Sequence, residues 1–117
     1  GTPPACTLSF EDSANPDAPT YIADANGRTK TTNNISITSP TSGTWWNSNS
    51  IVSIIQELVD SYNYSAGSAM LMLIAASGSG TNYSAQRSYD YSGNTSGPKL
   101  HIEYTEAAKG RCFCIVC

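Results

Sequence analysis

The sequence predicts an all-β chain, a jelly-roll-like β-sandwich with one short amphipathic helix, on three observations. Only 13% of the residues are charged, whereas Ser, Thr, Asn and Gly together make 47 of 117, a composition of extracellular β-domains rather than helical cytosolic enzymes. Short segments of alternating apolar and polar residues recur between clusters of turn residues. One stretch alone switches to a helical period. The length of 117 residues fits about one domain with one modest core. The sandwich is therefore expected over residues 1–105, followed by a linker and a Cys-rich C-terminal strand over residues 106–117.

The elements follow in order. In residues 5–10, Cys6, Leu8 and Phe10 share one face and Ala5, Thr7 and Ser9 the other, the pattern of a half-buried strand. Residues 11–19 carry Asn15-Pro16 and Ala18-Pro19 and read as a loop. Residues 20–23 can resume a short strand before the breaker Asn26-Gly27. Residues 35–38 are a further strand candidate, and Thr44-Trp45-Trp46 another, on β-forming side chains. Over residues 50–60, Ile51, Ile54, Ile55, Leu58 and Val59 fall at i, i+3, i+4, i+7 and i+8, a helical stripe with Ser48, Asn49 or Ser50 available as cap. Ser65-Ala66-Gly67 stops that helix. The uninterrupted apolar run of residues 69–76 is short for a helix and is expected to be a central strand covered on both faces. Residues 85–91 and 99–105 complete the strands, the last with Leu100, Ile102 and Tyr104 on one face and Lys99, His101 and Glu103 on the other. Residues 92–98 between them are turn chemistry.

Several function classes fall away. The net charge is −3 with no basic run, so phosphate neutralisation gives no basis for nucleic-acid binding. The longest apolar stretches fall far short of the roughly 18 residues that span a bilayer, no signal-peptide pattern opens the chain, and a soluble mature piece with no membrane insertion is expected. Asp90 and Glu103 have no carboxylate partner at a defined spacing, which leaves no glycosidase pair. The single His, His101, has no Ser or Cys motif attached to it. No enzymatic activity and no cofactor are expected.

The four cysteines suggest an oxidising compartment. Cys6 stands near the start, and Cys112, Cys114 and Cys117 crowd the end. Cys112 and Cys114 are badly placed to bond each other across i, i+2, so one of the three is expected to reach Cys6. A bridge closing a loop on the order of 100 residues contributes about 4–5 kcal/mol in the chain-entropy view. Remaining thiols would seek another chain. The spacing Cys114-x2-Cys117 has no matching second pair or following His, which argues against zinc or haem.

Trp45, Trp46, Tyr62, Tyr64, Tyr83, Tyr89 and Tyr91 offer faces for stacking on sugar rings, with packing as the plainer role. Tyr89 and Tyr91 share a face, and with Trp45 and Trp46 they form the candidate glycan-binding set. Glu11, Asp12, Asp17 and Asp24, with Asn15 and Asn26, offer the hard oxygens calcium prefers, although the segment after Asp24 lacks the later acids of a calcium loop and solvated loop acids are the default. Asn34, Asn63, Asn82 and Asn94 stand in Asn-x-Ser/Thr sequons; a chain this rich in Asn, Ser and Thr carries roughly two by chance, so they permit glycosylation and do not argue for it.

The strand of residues 5–10, Trp46 before a polar loop, the helix Ile51-Val-Ser-Ile-Ile-Gln-Glu-Leu-Val59, the apolar strand after Ser65-Ala-Gly-Ser-Ala69, the segment Gln86-Arg-Ser-Tyr-Asp90 and the close Gly97-Pro-Lys-Leu-His-Ile-Glu-Tyr104 together resemble the later portion of the DNRLRE-type modules. These are extracellular bacterial and archaeal β-sandwiches, some counted among carbohydrate-binding modules. The likeness covers about residues 5–105. It implies a sandwich that lacks the family's opening strands and carries an extra tail. Phe113, Ile115 and Val116 of that tail are then expected to add as a strand to the vacant edge, within the chain or between subunits. The function expected is a structural subunit of an extracellular filament or other cell or virion surface assembly, with copies of itself as partners. The alternative is a glycan-binding module with polysaccharide as partner.

Overall fold

The structure, a computed structural model, describes residues 5–37, 45–76, 93, 95 and 97–105. The chain divides into two compact units, Gly1–Ser84 and Ala85–Cys117.

The first unit is built on one antiparallel sheet. Strand β1 (Cys6–Phe10) lies between β2 (Ile35–Ile37) and β3 (Met72–Ala76). Its register sets Leu8 opposite Ile35 on one side and Ile74 on the other. The alternation in β1 places Leu8 and Phe10 on one face, at 5% and 2% exposure. Ser9 and its partner Leu73, on the other face, are also buried. Helix α2 (Val52–Ser61) brings Ile54 and Leu58, both fully buried, into one cluster with Leu8, Phe10 and Ile37. Burying each of those two side chains contributes roughly 1.5–3 kcal/mol. Ile51, Ile55 and Trp46 pack on the rim of this cluster. The helical stripe thus forms as its spacing predicts, except that Val59 stays half exposed at 50%. No serine side chain caps the first turn in the usual i to i+3 sense; Ser50 Oγ accepts from the Val52 N–H at 3.3 Å.

Several expectations are corrected. The described residues form a single three-stranded sheet with two helices, not a jelly-roll-like sandwich. Residues 20–23 do not resume a strand, because Ile22–Gly27 is a short helix, α1. Its Asp24 carboxylate accepts the Thr20 N–H at 3.0 Å, and an acid in a first helical turn is favoured by the exposed N–H groups there. Trp45 and Trp46 lie outside any strand. The strand covered on both faces is β1 rather than β3, whose Met72 and Ile74 are 37% and 44% exposed. A continuous apolar run fits a buried strand and a thinly covered edge equally well, and only pairing separates them.

In the second unit, Gly93 takes φ +66° in a turn, as turn chemistry over residues 92–98 leads one to expect. Residues 98–105 are exposed and form neither helix nor strand, which corrects the strand expected over residues 99–105. Alternation yields a ladder only where one face is covered, and Leu100, Ile102 and Tyr104 are 52%, 45% and 78% exposed. The residues 85–91 strand, the tail strand and the bonding of Cys112, Cys114 and Cys117 lie outside the described residues.

Candidate functional site

The first unit carries two contrasting surfaces. One is a polar end, where the loop after β1 is tied down. Arg28, just after α1, forks onto Asp24 with Nε to Oδ1 at 2.9 Å and Nη2 to Oδ2 at 3.0 Å. Its Nη1 donates to Glu11 Oε2 at 2.9 Å and to Asp17 Oδ1 at 3.1 Å. Arg28 and Glu11 are each 13% exposed, whereas Asp17 is 88% exposed, so solvent screens the Asp17 pair most. The Arg28 fork, followed by the Thr20 N–H, holds the Asp24 carboxyl down at about 2. The same fork raises the guanidinium's already high pKa.

Two tyrosines fasten the next turn of the loop. Tyr62 OH lies 2.9 Å from Asp12 Oδ1 and 3.1 Å from the Asp12 carbonyl, and Tyr64 OH donates to the Ser13 carbonyl at 3.1 Å. Their rings meet edge to face at 6.4 Å. The hydrogen bond to Asp12 raises the Tyr62 phenol above its ordinary range, and burial does the same for Tyr64. Asn15 Oδ1 accepts the Ala69 N–H at 2.7 Å. Glu57 of α2 accepts the N–H groups of Thr32 and Asn33 at 2.6 and 2.8 Å. Those bonds, Asn33 first, lower its pKa. Buried Thr31 joins this segment to β1, accepting the Phe10 N–H at 3.2 Å and donating to the Asn33 carbonyl at 2.9 Å.

These contacts reassign the loop acids. Glu11, Asp17 and Asp24 converge on a guanidinium rather than offering oxygens to calcium, Asp12 and Asn15 hold protein groups, and the described residues contain no acid, His and Cys cluster suited to a metal ion. Tyr62 and Tyr64 are loop fasteners rather than sugar platforms. The Asp24/Arg28 pair was visible as an i, i+4 spacing; the approach of Glu11 across the fold had no local signal.

The second surface is apolar. Strand β3 pairs with β1 and has no further strand beside it among the described residues. Its sequence, Met72-Leu73-Ile74-Ala75-Ala76, carries no charge, and Met72 and Ile74 stand on the same face as Phe10 and Leu8. Among the predicted glycan-binding residues, Trp45 is 63% exposed and Trp46 packs on the core; Tyr89 and Tyr91 lie outside the described residues. Cys6 is half-buried on β1. Of the sequons, Asn34 and Asn63 are exposed, and Asn82 and Asn94 lie outside the described residues. His101 Nε2 and Glu103 Oε1 are 3.1 Å apart, both side chains open to water.

No helix among the described residues is long and apolar enough to cross a membrane. Compared with known protein families, curated proteins and solved structures, the chain matches none.

Proposed function

We propose that the chain is a non-catalytic structural subunit of an extracellular filament or surface assembly, joined by strand addition and disulfides. The observation that carries this reading is strand β3, uncharged and apolar, which has no further strand beside it among the described residues and leaves Met72 and Ile74 exposed. An edge of this kind offers a row of backbone donors and acceptors to another chain, and soluble proteins usually blunt it with Lys, Pro or a bulge. The tail, Arg111-Cys112-Phe113-Cys114-Ile115-Val116-Cys117, is a β-prone apolar ribbon of the kind that adds to such edges. Its cysteines supply links between copies in an oxidising compartment. Head-to-tail addition that does not close on itself builds a filament.

Non-reducing electrophoresis of native material tests the disulfides: a ladder that collapses with thiol is expected, and monomers indifferent to thiol overturn them. Deleting residues 111–117 is expected to abolish assemblies seen by electron microscopy; unchanged particles would remove the tail from the scheme.

A second reading, a glycan-binding module, draws on the resemblance to the DNRLRE-type modules and on Trp45, whose ring is largely open to water as a sugar platform requires. Retention on a polysaccharide panel, lost in Trp45→Ala with the fold intact, supports it, and no retention on any member removes it.

A further inference from the structure

We propose that Asn63, and not Asn34, accepts an N-linked glycan on the folded protein. The extracellular reading above supplies the compartment in which this would occur, whereas the choice between the two asparagines is a property of the fold. In the transfer, Asn Nδ2 bonds to the anomeric carbon of a lipid-pyrophosphate-linked oligosaccharide. The bond from that carbon to the pyrophosphate oxygen breaks, the lipid pyrophosphate departs with the electron pair, and the amide releases one proton. Nothing is oxidised or reduced. The Asn amide must be available, and the hydroxyl two residues on must reach the transferase with it.

Asn34 and Ser36 are exposed, but the backbone of this sequon is held. Asn34 Nδ2 donates to the Thr32 carbonyl at 3.3 Å. The preceding N–H groups of Thr32 and Asn33 are held by Glu57, and Ser36, although exposed, has its backbone in the ladder of β2, opposite Thr7 of the central strand. Using this site requires part of β2 to open.

Asn63 lies just beyond α2, in a segment that is neither helix nor strand. Tyr62 and Tyr64 on either side are half-buried, and their phenols reach back to Asp12 and Ser13. Two inward anchors leave the residue between them facing water. Asn63 is exposed, and its side chain has no hydrogen-bond partner among the described residues. Ser65 is exposed as well. Its only side-chain contact among the described residues is the Ser68 hydroxyl at 3.3 Å; Ser68 Oγ also stands 3.3 Å from the Ser65 N–H, and the Ser68 N–H donates to the Ser65 carbonyl at 3.0 Å, a local turn rather than a strand ladder.

The test incubates the purified full-length chain with an oligosaccharyltransferase and a lipid-linked oligosaccharide, and follows occupancy of each asparagine by mass spectrometry. Peptides spanning residues 30–38 and 59–67 give the intrinsic ratio of the two sequons. Folding is expected to shift that ratio toward Asn63 by at least about tenfold, the factor set by a local opening of roughly 1.4 kcal/mol at β2. Ser65→Ala is expected to remove transfer to Asn63 and leave the rest unchanged. A smaller shift, a shift toward Asn34, or failure of the folded chain at Asn63 while its peptide is modified overturns the proposal. Sedimentation of the same unmodified chain reports on self-assembly separately, so monomers there would sink the assembly reading and leave this result standing.

Discussion

The two surfaces of the first unit are finished by opposite means. At the end of β1, the loop that leads into α1 is fixed by Arg28 on three carboxylates and by two phenols, and the segment before β2 by Glu57. Along β3, a regular strand is left with apolar side chains in water and not one charge. A chain with so few charged residues has placed most of those of this unit where irregular backbone needs partners, and none on β3. Regularity and closure are therefore separate properties here: the irregular end is closed, and the regular edge has no further strand beside it among the described residues.

The largest effect that sharpens this contrast lies in the core both surfaces share. Phe10→Ala is expected to cost about 3–5 kcal/mol, and Ile54→Ala or Leu58→Ala about 2–5 kcal/mol, since each leaves a cavity under the sheet. Urea denaturation would read it, and a midpoint no lower than that of Val59→Ala would show that the helix does not cover the sheet.

Acid should undo the polar end before the edge. Asp24, at about 2 against an ordinary 3.8, and Glu57, lowered from 4.5, bind protons less readily folded than unfolded. Their contribution is complete above the unfolded values and is lost as pH falls through the folded ones. Stability should decline from about pH 4.5 toward pH 2, and Glu57→Gln should flatten part of that slope; an unchanged slope would deny the carboxylate its role. Tyr62 and Tyr64, raised above 10.0, act in the reverse sense: their contribution is complete below that pH and fades as pH climbs beyond it.

A local loss comes next. Arg28→Ala should speed amide exchange at Asp12 and Thr20, whose N–H groups bond to Thr29 and Asp24, while Thr7 and Leu8 in β1 keep their protection. Uniform exchange across both groups would mean that the guanidinium holds the whole unit and not just the loop.

The smallest change in stability is expected on β3, where Ile74→Lys should fall within about 0.5 kcal/mol of the parent. Its effect on association should nevertheless be large, because a lysine on an edge strand opposes further pairing. Assemblies that form unchanged in this variant would show that β3 is not the receiving edge.

Much of the secondary structure was legible because it depends on short-range periodicity. The spacing of Ile51, Ile54, Ile55 and Leu58 predicted α2, and the alternation of Cys6, Leu8 and Phe10 predicted β1, since both patterns report one covered face. The same reasoning misled at Lys99 to Thr105, where alternation exists without cover, and at residues 20–23, where Tyr21 and Ile22 suggested a strand and the contacts of Asp24 with Thr20 and Arg28 support a helix. Of the candidate site residues, composition pointed to aromatics and loop acids, but it could not separate Trp45, open to water, from Trp46, packed on the core.

By itself, then, the sequence determined which short segments carry an apolar face and with what period, because that follows from local backbone geometry. Only the tertiary structure decided that β1 lies at the centre and β3 outside it, that Glu11 meets Arg28, and that Tyr62 and Tyr64 fasten a loop some fifty residues away. Those are pairings between distant parts of the chain, chosen by which faces can be covered at once and which polar groups must be satisfied together. No local pattern records such a choice.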